Sequence, residues 1–413
     1  MSPLMSERAR MPPTPPIAIV CLTVPEGRRI ALAEVAGLPV ALRNLLAAAR
    51  AGVRRFVLPA ALRTKELEGP ASRDPRLAGA IRWADRLEEA ERRRLEREPL
   101  LFLPADSLFE PGLIQTLLAA SPPPRGGGTV LLDGGGPIPV LLADPALAAP
   151  LFRLAADGAP IHEALEADLR RGAVRPHPVP GDLWLPIPTS EELAAAEARL
   201  CAARGIANDG VVDRWVNRRL SRPLTRLLVR LPVTPNQVSL ASLAFGLLGA
   251  VGVWAGSLAF SALGLGLYQI ATILDHTDGE LARLKLLESP QGAWLDVAID
   301  TLIHGALALA LGLTAARVLD LPILRGVGLA AALGVAASAL VAKWLALPAE
   351  TGRGLRGLLG WMANRDLFYL ILLASLVALW LHPPALAWLL AILALGSHAY
   401  WLAAAGVRVA TRR

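Results

Sequence analysis

The chain has 413 residues, a formal charge of +7, 19% charged and only 5% aromatic residues, with a mean hydropathy of +0.46. Its charges crowd into the first half and into short stretches between later apolar runs, which excludes a single water-soluble domain and predicts a soluble part ahead of a membrane part. The basic residues after 210 lie beside apolar segments, so anionic headgroups and phosphate-bearing substrates account for them and nucleic acid is not an expected partner.

Cys21 and Cys201 make neither a metal quartet nor a disulfide framework, and a reduced interior follows. Near the N-terminus the run IAIVCLTV is too short for a signal peptide and lacks a small-residue cleavage site. It reads as a first strand, and the soluble half is expected in the cytoplasm. From Ile17 to about Ala207, IAIVCLTV, LPVALRNLLAAARAG, VRRFVLPA, PLLFLPA, PGLIQTLLAA, GTVLLD and IPVLLA alternate strand-like and helix-like runs. That order predicts βαβ units, a parallel sheet and helices covering it. Asp85 to Arg97 reads as a solvated helix. A last helix, SEELAAAEARLCAARG, would be opened by a capping box from Thr189 to Glu192 and closed by Gly205, ending the domain 1–207.

Residues 208–235 form an amphipathic juxtamembrane segment. Within it Val212, Trp215, Val216, Leu220, Leu224, Leu227 and Leu228 stand among six arginines, an arrangement suited to the headgroup layer, with an interruption near Pro223. Beyond Pro235, six spans can be drawn at about 236–256, 258–276, 293–316, 322–347, 366–382 and 384–405, each close to the length of about 20 residues a crossing helix needs. With six spans, Arg-rich 214–230, Arg283 and Lys285, Arg353, Arg356 and Arg365, and Arg408, Arg412 and Arg413 fall on one side. Positive charge marks that side as cytoplasmic, both termini included, in the cytoplasmic membrane.

Between the second and third spans the chain reads DHTDGELARLKLLESPQGAWLDVAID. Carboxylates are rare beside such apolar runs and demand a chemical reason. Asp275 and Asp278, three apart, share a helix face that Ala282 and Arg283 continue; Asp296 and Asp300, four apart, share a face of the next helix, with Gly292 one turn before. Two such helices joined by a short turn would gather four carboxylates around one cavity. Their mutual repulsion calls for cations, and an all-oxygen donor set points to magnesium, manganese or calcium rather than zinc. Two such ions bound to a diphosphate would offset charge building up at phosphorus. Gly279 and Ala282 leave room for a phosphate or nucleotide near the backbone, and Arg283 can fork onto phosphate oxygens. A transporter using the acids as an ion path, or a membrane scaffold, is the non-enzymatic alternative.

The pattern Asp275-x2-Asp278-Gly279-x2-Ala282-Arg283-x8-Gly292-x3-Asp296-x3-Asp300 is identified as that of the CDP-alcohol phosphatidyltransferase family, all eight marker positions being present. The resemblance covers 209–413 and implies a six-helix membrane domain. It implies that Asp275, Asp278 and Asp296 hold metal, expected as two Mg2+ ions with Mn2+ as the substitute, and that Asp300 shares in binding metal and acts as general base. It further implies a CDP pocket of Gly279, Ala282, Arg283 and Gly292, attack of an acceptor hydroxyl on the β-phosphorus, release of CMP, and a homodimer. Arg365 and Asp366 resemble the family's acceptor site, where a cation would hold an acceptor phosphate. Lys343, inside an apolar span, is a second candidate for that role or a snorkelling cation, and Arg226 and Arg230 are weaker ones.

The fused architecture resembles the bifunctional enzymes that make CDP-inositol and then di-myo-inositol phosphate phosphate, whose first half is a sugar-nucleotidyltransferase-like cytidylyltransferase. That resemblance rests on GLPVALRNLLAAARAGVRRFVL, LFLPADSLFEPGLIQTLL and WLPIPTSEELAAAEARL. The catalytic parts are missing. CLTVPEGRRIALAEVAGLP has one glycine in the expected phosphate loop and no lysine, Asp106 is the one candidate metal ligand left, and the Trp-x-Asp-x-Asp-Thr pattern appears as Trp184, Leu185, Pro186, Ile187, Pro188, Thr189. The fold class is therefore a multidomain chain: an α/β nucleotidyltransferase-like domain without activity, then an all-α membrane domain. The expected partners are a CDP-alcohol, a hydroxyl or phosphorylated polyol acceptor, and membrane lipids. Two donor classes compete, CDP-inositol with inositol phosphate as acceptor, and CDP-diacylglycerol as phospholipid synthases use it.

Overall fold

A computed structural model describes residues 16–120, 123, 125–133, 136–179, 183–202, 213–345 and 365–412. The chain divides into two compact units, Met1–Ala202 and Ala203–Arg413. The expectations for Gly205, Val212, Arg353 and Arg356 and for the side chains of Arg214, Arg365, Asp366, Arg408, Arg412 and Arg413 lie outside the described residues.

In the first unit the strands are β1 (Ile17–Cys21), β2 (Glu34–Val35), β3 (Leu38–Pro39), β4 (Phe56–Leu58), β5 (Ile81–Trp83), β6 (Leu100–Pro104), β7 (Ser107–Phe109), β8 (Gly128–Asp133), β9 (Gly136–Ala143), β10 (Val174–Pro178) and β11 (Trp184–Pro186). Seven of them form one sheet in the order β10-β8-β9-β6-β1-β4-β5. β1 and β6 are buried along their whole length, the continuous apolar pattern of strands covered on both faces. Helix Val40–Arg50, which the sequence placed correctly, buries nearly every residue against the sheet.

The expected all-parallel sheet is corrected at β9, which runs antiparallel to both β6 and β8. Only residues 134 and 135 separate β8 from β9, and a parallel return needs a crossover of a dozen residues or more. The charged stretch 85–97 is also broken: a 3-10 turn, Ala84–Arg86, precedes a helix confined to Glu89–Leu95. No side-chain cap forms at Thr189; a 3-10 turn, Ser190–Glu192, leads into helix Leu193–Ala202.

In the second unit the long helices are Pro235–Ala255, Leu258–Leu284, Pro290–Val318, Ile323–Leu345 and Ala385–Arg412, with the shorter Arg365–Leu381. Among the described residues five helices are long and apolar enough to cross a membrane, as in an integral membrane protein; Arg365–Leu381, with 17 residues, is shorter. Local sequence sets the boundaries. Thr234 and Gln237 close a capping box with Pro235 in the first turn, and Gly256, at φ 77°, ends the same helix in the left-handed region that glycine adopts without steric cost. Ser257 caps the second helix through the Phe260 amide, and Ser289 caps the third through the Gly292 amide.

Small residues let these helices approach closely. A Cβ on Gly264 would stand 2.6 Å from the Gly249 carbonyl oxygen, and one on Gly312 would stand 2.5 Å from the Gly328 Cα. The outward faces carry exposed Leu247, Leu248, Trp254, Phe260, Trp388 and Leu395, an apolar perimeter suited to lipid.

Before the first of these helices, Arg218–Leu228 runs through Pro223 without the break expected there, preceded by a π-helical turn at Asp213–Asn217. The outward side of this turn and helix has Trp215, Leu220 and Leu227 together with Arg219, Arg222 and Arg226. The inward side is a polar row, Asn217, Arg218, Ser221 and Thr225, all buried.

Candidate active site

The site is built where the second and third long helices meet. Their connection is short: the Leu287 amide returns to the Ala282 carbonyl at 2.8 Å, and Leu286 turns the chain at φ 54°. Asp275 and Asp278 on the second helix and Asp296 on the third each offer a carboxylate oxygen, and these atoms lie within 4.8 Å of one another. Asp278 is buried, the Asp275 side chain is 10% exposed, and Asp296 is half-buried. Three oxygen donors at this separation fit a hard divalent ion, which would also offset their repulsion. The arrangement can hold a cation with part of its coordination left for substrate oxygens.

Asp300, one turn after Asp296, is half-buried and lies outside that triad. Arg283 folds back along its helix, so that a Cβ on Gly279 would lie 3.5 Å from Nη1 and 3.7 Å from Nη2. Its guanidinium thus covers the glycine next to Asp278. Gly292 sits in the first turn of the third helix, where a Cβ would meet Ser289 Oγ at 3.2 Å and Asn236 Oδ1 at 3.8 Å. The first helix thereby supplies Asn236 beside Gly292, and Ser239, whose hydroxyl donates to Asp278 Oδ2. Lys343 Nζ donates to the Ala293 carbonyl at 3.0 Å and stands 5.9 Å from the Trp294 ring, at the N-terminal end of the third helix.

Several supporting residues escaped the sequence. Glu280 is buried within the motif, where its Oε1 accepts from Arg218 at 2.6 Å and Ser221 at 3.1 Å, and its Oε2 from Thr225 at 2.6 Å. Arg218 is therefore a structural partner of the second helix and not one of the headgroup-facing arginines. His276 Nε2 lies 3.0 Å from Asp213 Oδ1, which also accepts from Asn217 Nδ2 at 2.7 Å. Two signals were available: an acid beyond the motif's own pattern at Glu280, and a polar repeat, Asn217, Ser221 and Thr225, spaced by four.

In the first unit, Asp106 is 1% exposed. Its Oδ2 accepts from the Thr23 amide at 2.6 Å and the Val24 amide at 3.1 Å, and its Oδ1 from the Thr23 hydroxyl at 2.7 Å. Burial pushes this carboxyl above the usual carboxylate range, against the opposing pull of the Thr23 and Val24 donors. The loop that would cradle a nucleotide thus closes directly on the acid. A Cβ on Gly27 would already collide with Asp106.

No family model matches the chain. It is 38% identical over 150 residues to the bifunctional IPC transferase and DIPP synthase of Rubrobacter xylanophilus, covering 35% of this chain and 34% of that protein. The protein of the same description from Thermococcus kodakarensis is 37% identical over 153 residues, covering 37% and 33%. That from Archaeoglobus fulgidus is 35% identical over 127 residues, covering 30% and 25%. Over about a third of its length the chain is homologous to these bifunctional IPC transferase and DIPP synthase proteins. It spans about a third of the length of the curated relatives it matches. Homology at this level supports a fused architecture with a CDP-alcohol phosphatidyltransferase-like part.

Proposed function

We propose that this chain transfers a substituted phosphoryl group from a CDP-alcohol to a hydroxyl acceptor and releases CMP, in a metal-dependent reaction. The observation that carries it is the triad Asp275, Asp278 and Asp296, three carboxylates with oxygens within 4.8 Å on adjoining apolar helices. Magnesium bound there, as two ions, would neutralise the diphosphate and steady the leaving group. Gly279, Ala282, Arg283 and Gly292 line the cytidine diphosphate side, where Arg283 is placed to donate to phosphate oxygens. Asp300 takes the proton from the acceptor hydroxyl; the acceptor oxygen then bonds to the β-phosphorus and the bond to CMP breaks. Arg365, with Lys343 in a supporting role, receives an acceptor phosphate.

In this proposal the second unit spans the membrane six times, counting Arg365–Leu381. Helix Arg218–Leu228 lies in the interface, and both termini and the active site face the cytoplasm of the cell membrane. The exposed Trp215, Leu220 and Leu227 beside Arg219 and Arg226 support the interfacial placement. Residues 1–207 form a domain without nucleotidyl-transfer activity, supported by the donors from Thr23 and Val24 that occupy Asp106. The fused architecture of the homologues favours a CDP-polyol such as CDP-inositol, with inositol phosphate as acceptor, over CDP-diacylglycerol.

Purified protein with Mg2+ and a panel of CDP-inositol, CDP-glycerol and CDP-diacylglycerol, each with inositol phosphate or glycerol phosphate, tests the proposal by CMP detection. CMP release that needs both metal and acceptor is the expected result. Transport of any of these solutes without CMP release is the opposite one.

A further inference from the structure

Beneath the carboxylates, two polar side chains face each other across the same pair of helices. His304 follows Asp300 by one turn, about 6 Å deeper, and Tyr268 precedes Asp275 by two turns, about 10 Å along its helix. His304 Nδ1 lies 2.7 Å from the Asp300 carbonyl oxygen and its Nε2 lies 2.9 Å from the Tyr268 hydroxyl. A carbonyl can only accept, so the Nδ1 carries the hydrogen. In the neutral ring Nε2 is then left to accept the Tyr268 proton. One tautomer satisfies both contacts, and the ring has no freedom to turn without breaking one of them.

A third helix joins this pair. The Phe368 ring meets the His304 ring edge-on at 4.6 Å, and Tyr369 stacks on Tyr268 at 6.1 Å between centroids. Both aromatics lie in the first turns of Arg365–Leu381, the helix whose N-terminal end carries the proposed acceptor-side Arg365. The bond from His304 Nδ1 ties this cluster directly to the turn that carries Asp300. The cluster therefore bears on the acid proposed to meet the acceptor, one turn beyond Asp296 and the metal triad.

We propose that His304 and Tyr268 are positioning residues for Asp300, fixing the turn that carries it and its spacing from helix Arg365–Leu381. The inference rests on the phosphotransferase function proposed above. It places the pair on the acceptor side of the reaction: it governs how Asp300 meets the acceptor hydroxyl, and not how nucleotide or metal binds. Misplacement of a reacting group by about 1 Å can cost a hundredfold in rate, so the effect belongs in kcat with acceptor.

The experiment compares wild type, Tyr268→Phe, His304→Phe and the double variant. Tyr268→Phe keeps the ring contacts and removes only the hydroxyl, so it tests the idea even where His304→Phe fails to fold. CMP release is measured with CDP-inositol and inositol phosphate, or with whichever pair from the panel wild type uses, and CMP affinity is measured separately in Mg2+. Each single variant is expected to lower kcat about ten- to a hundredfold, with donor KM, CMP affinity and Mg2+ dependence within about twofold of wild type. The double variant is expected to be no slower than the worse single variant, because the pair acts as one unit.

Unchanged kcat in Tyr268→Phe, a parallel loss of CMP affinity, or multiplying effects in the double variant would overturn the inference and leave the phosphotransferase function standing. Absence of CMP release by wild type from every donor overturns that function, and the inference with it.

Discussion

Asp106 in the first unit and Asp278 in the second are both buried carboxylates beside a glycine, in positions where a nucleotide-handling enzyme would want a metal ligand. Around Asp106 stand donors from its own fold: two amides and a hydroxyl close on its oxygens. Around Asp278 stand other acids, Asp275 and Asp296, with a single hydroxyl from Ser239. The first acid is balanced by the chain itself and holds a loop shut. The second is one of a set that could hold a divalent cation, which would offset the repulsion among its acids. A buried aspartate therefore carries little functional meaning until its neighbours are known.

The sharpest way to break this contrast is to neutralise one acid in each setting. On the proposed mechanism, Asp300→Asn should leave the fold intact and lower CMP release by about 10²–10⁴-fold, because the proposed proton acceptor would be lost while shape is kept; near-normal turnover removes Asp300 from its role. Next in size, Glu280→Ala should destabilise the second unit by about 3–5 kcal/mol, since the buried Arg218, Ser221 and Thr225 would lose the carboxylate they share. Thermal unfolding in detergent reads that loss, and a change under about 1 kcal/mol would mean that water replaces the carboxylate.

Asp106→Ala should cost the first unit about 2–3 kcal/mol as the Thr23 and Val24 donors lose their acceptor, while CMP release by the full chain stays at the wild-type level. Loss of CMP release would join the two units functionally and contradict the assignment of Asp106 as a loop staple. The smallest effect concerns Asp74, whose carboxyl is held below its ordinary value mainly by the Arg76 side chain, with the Arg76 amide assisting. A depressed folded-state value means stability that is present above the ordinary carboxylate range and lost as pH falls through the folded value. Being partly exposed, the pair should contribute under about 1 kcal/mol. Hydrogen exchange of the surrounding amides should show acid weakening in wild type and less of it in Asp74→Asn.

Much of this contrast was legible in the sequence, and the missing parts have a common cause. The spacing of Asp275 and Asp278 encodes one helix face, and the short turn to the next helix implied that Asp296 could meet them; the strand-helix-strand order of the first unit was equally legible in its alternating runs. Proline in place of acid at 186 and 188 was likewise visible in the sequence and underlies the proposal that the first unit lacks nucleotidyl-transfer activity. What remained hidden depends on partners distant along the chain. Thr23 meets Asp106 across 83 residues, and Arg218 meets Glu280 across 62; no local pattern links such pairs. The reversal of β9 was missed for a different reason: apolar runs look alike in either direction, and only the two-residue gap before β9 specifies the turn.

Lys285 donates to the carbonyls of Leu231 and Val233, just past the end of helix Arg218–Leu228, while Glu280 grips the beginning of that helix at Arg218. A rod pinned near both ends by one neighbour keeps its place without help from a surrounding bilayer. Extraction into micelles should accordingly leave its seat beside the acids undisturbed, and trimming its outward Trp215 or Leu227 would alter adhesion to vesicles without retuning the chemistry.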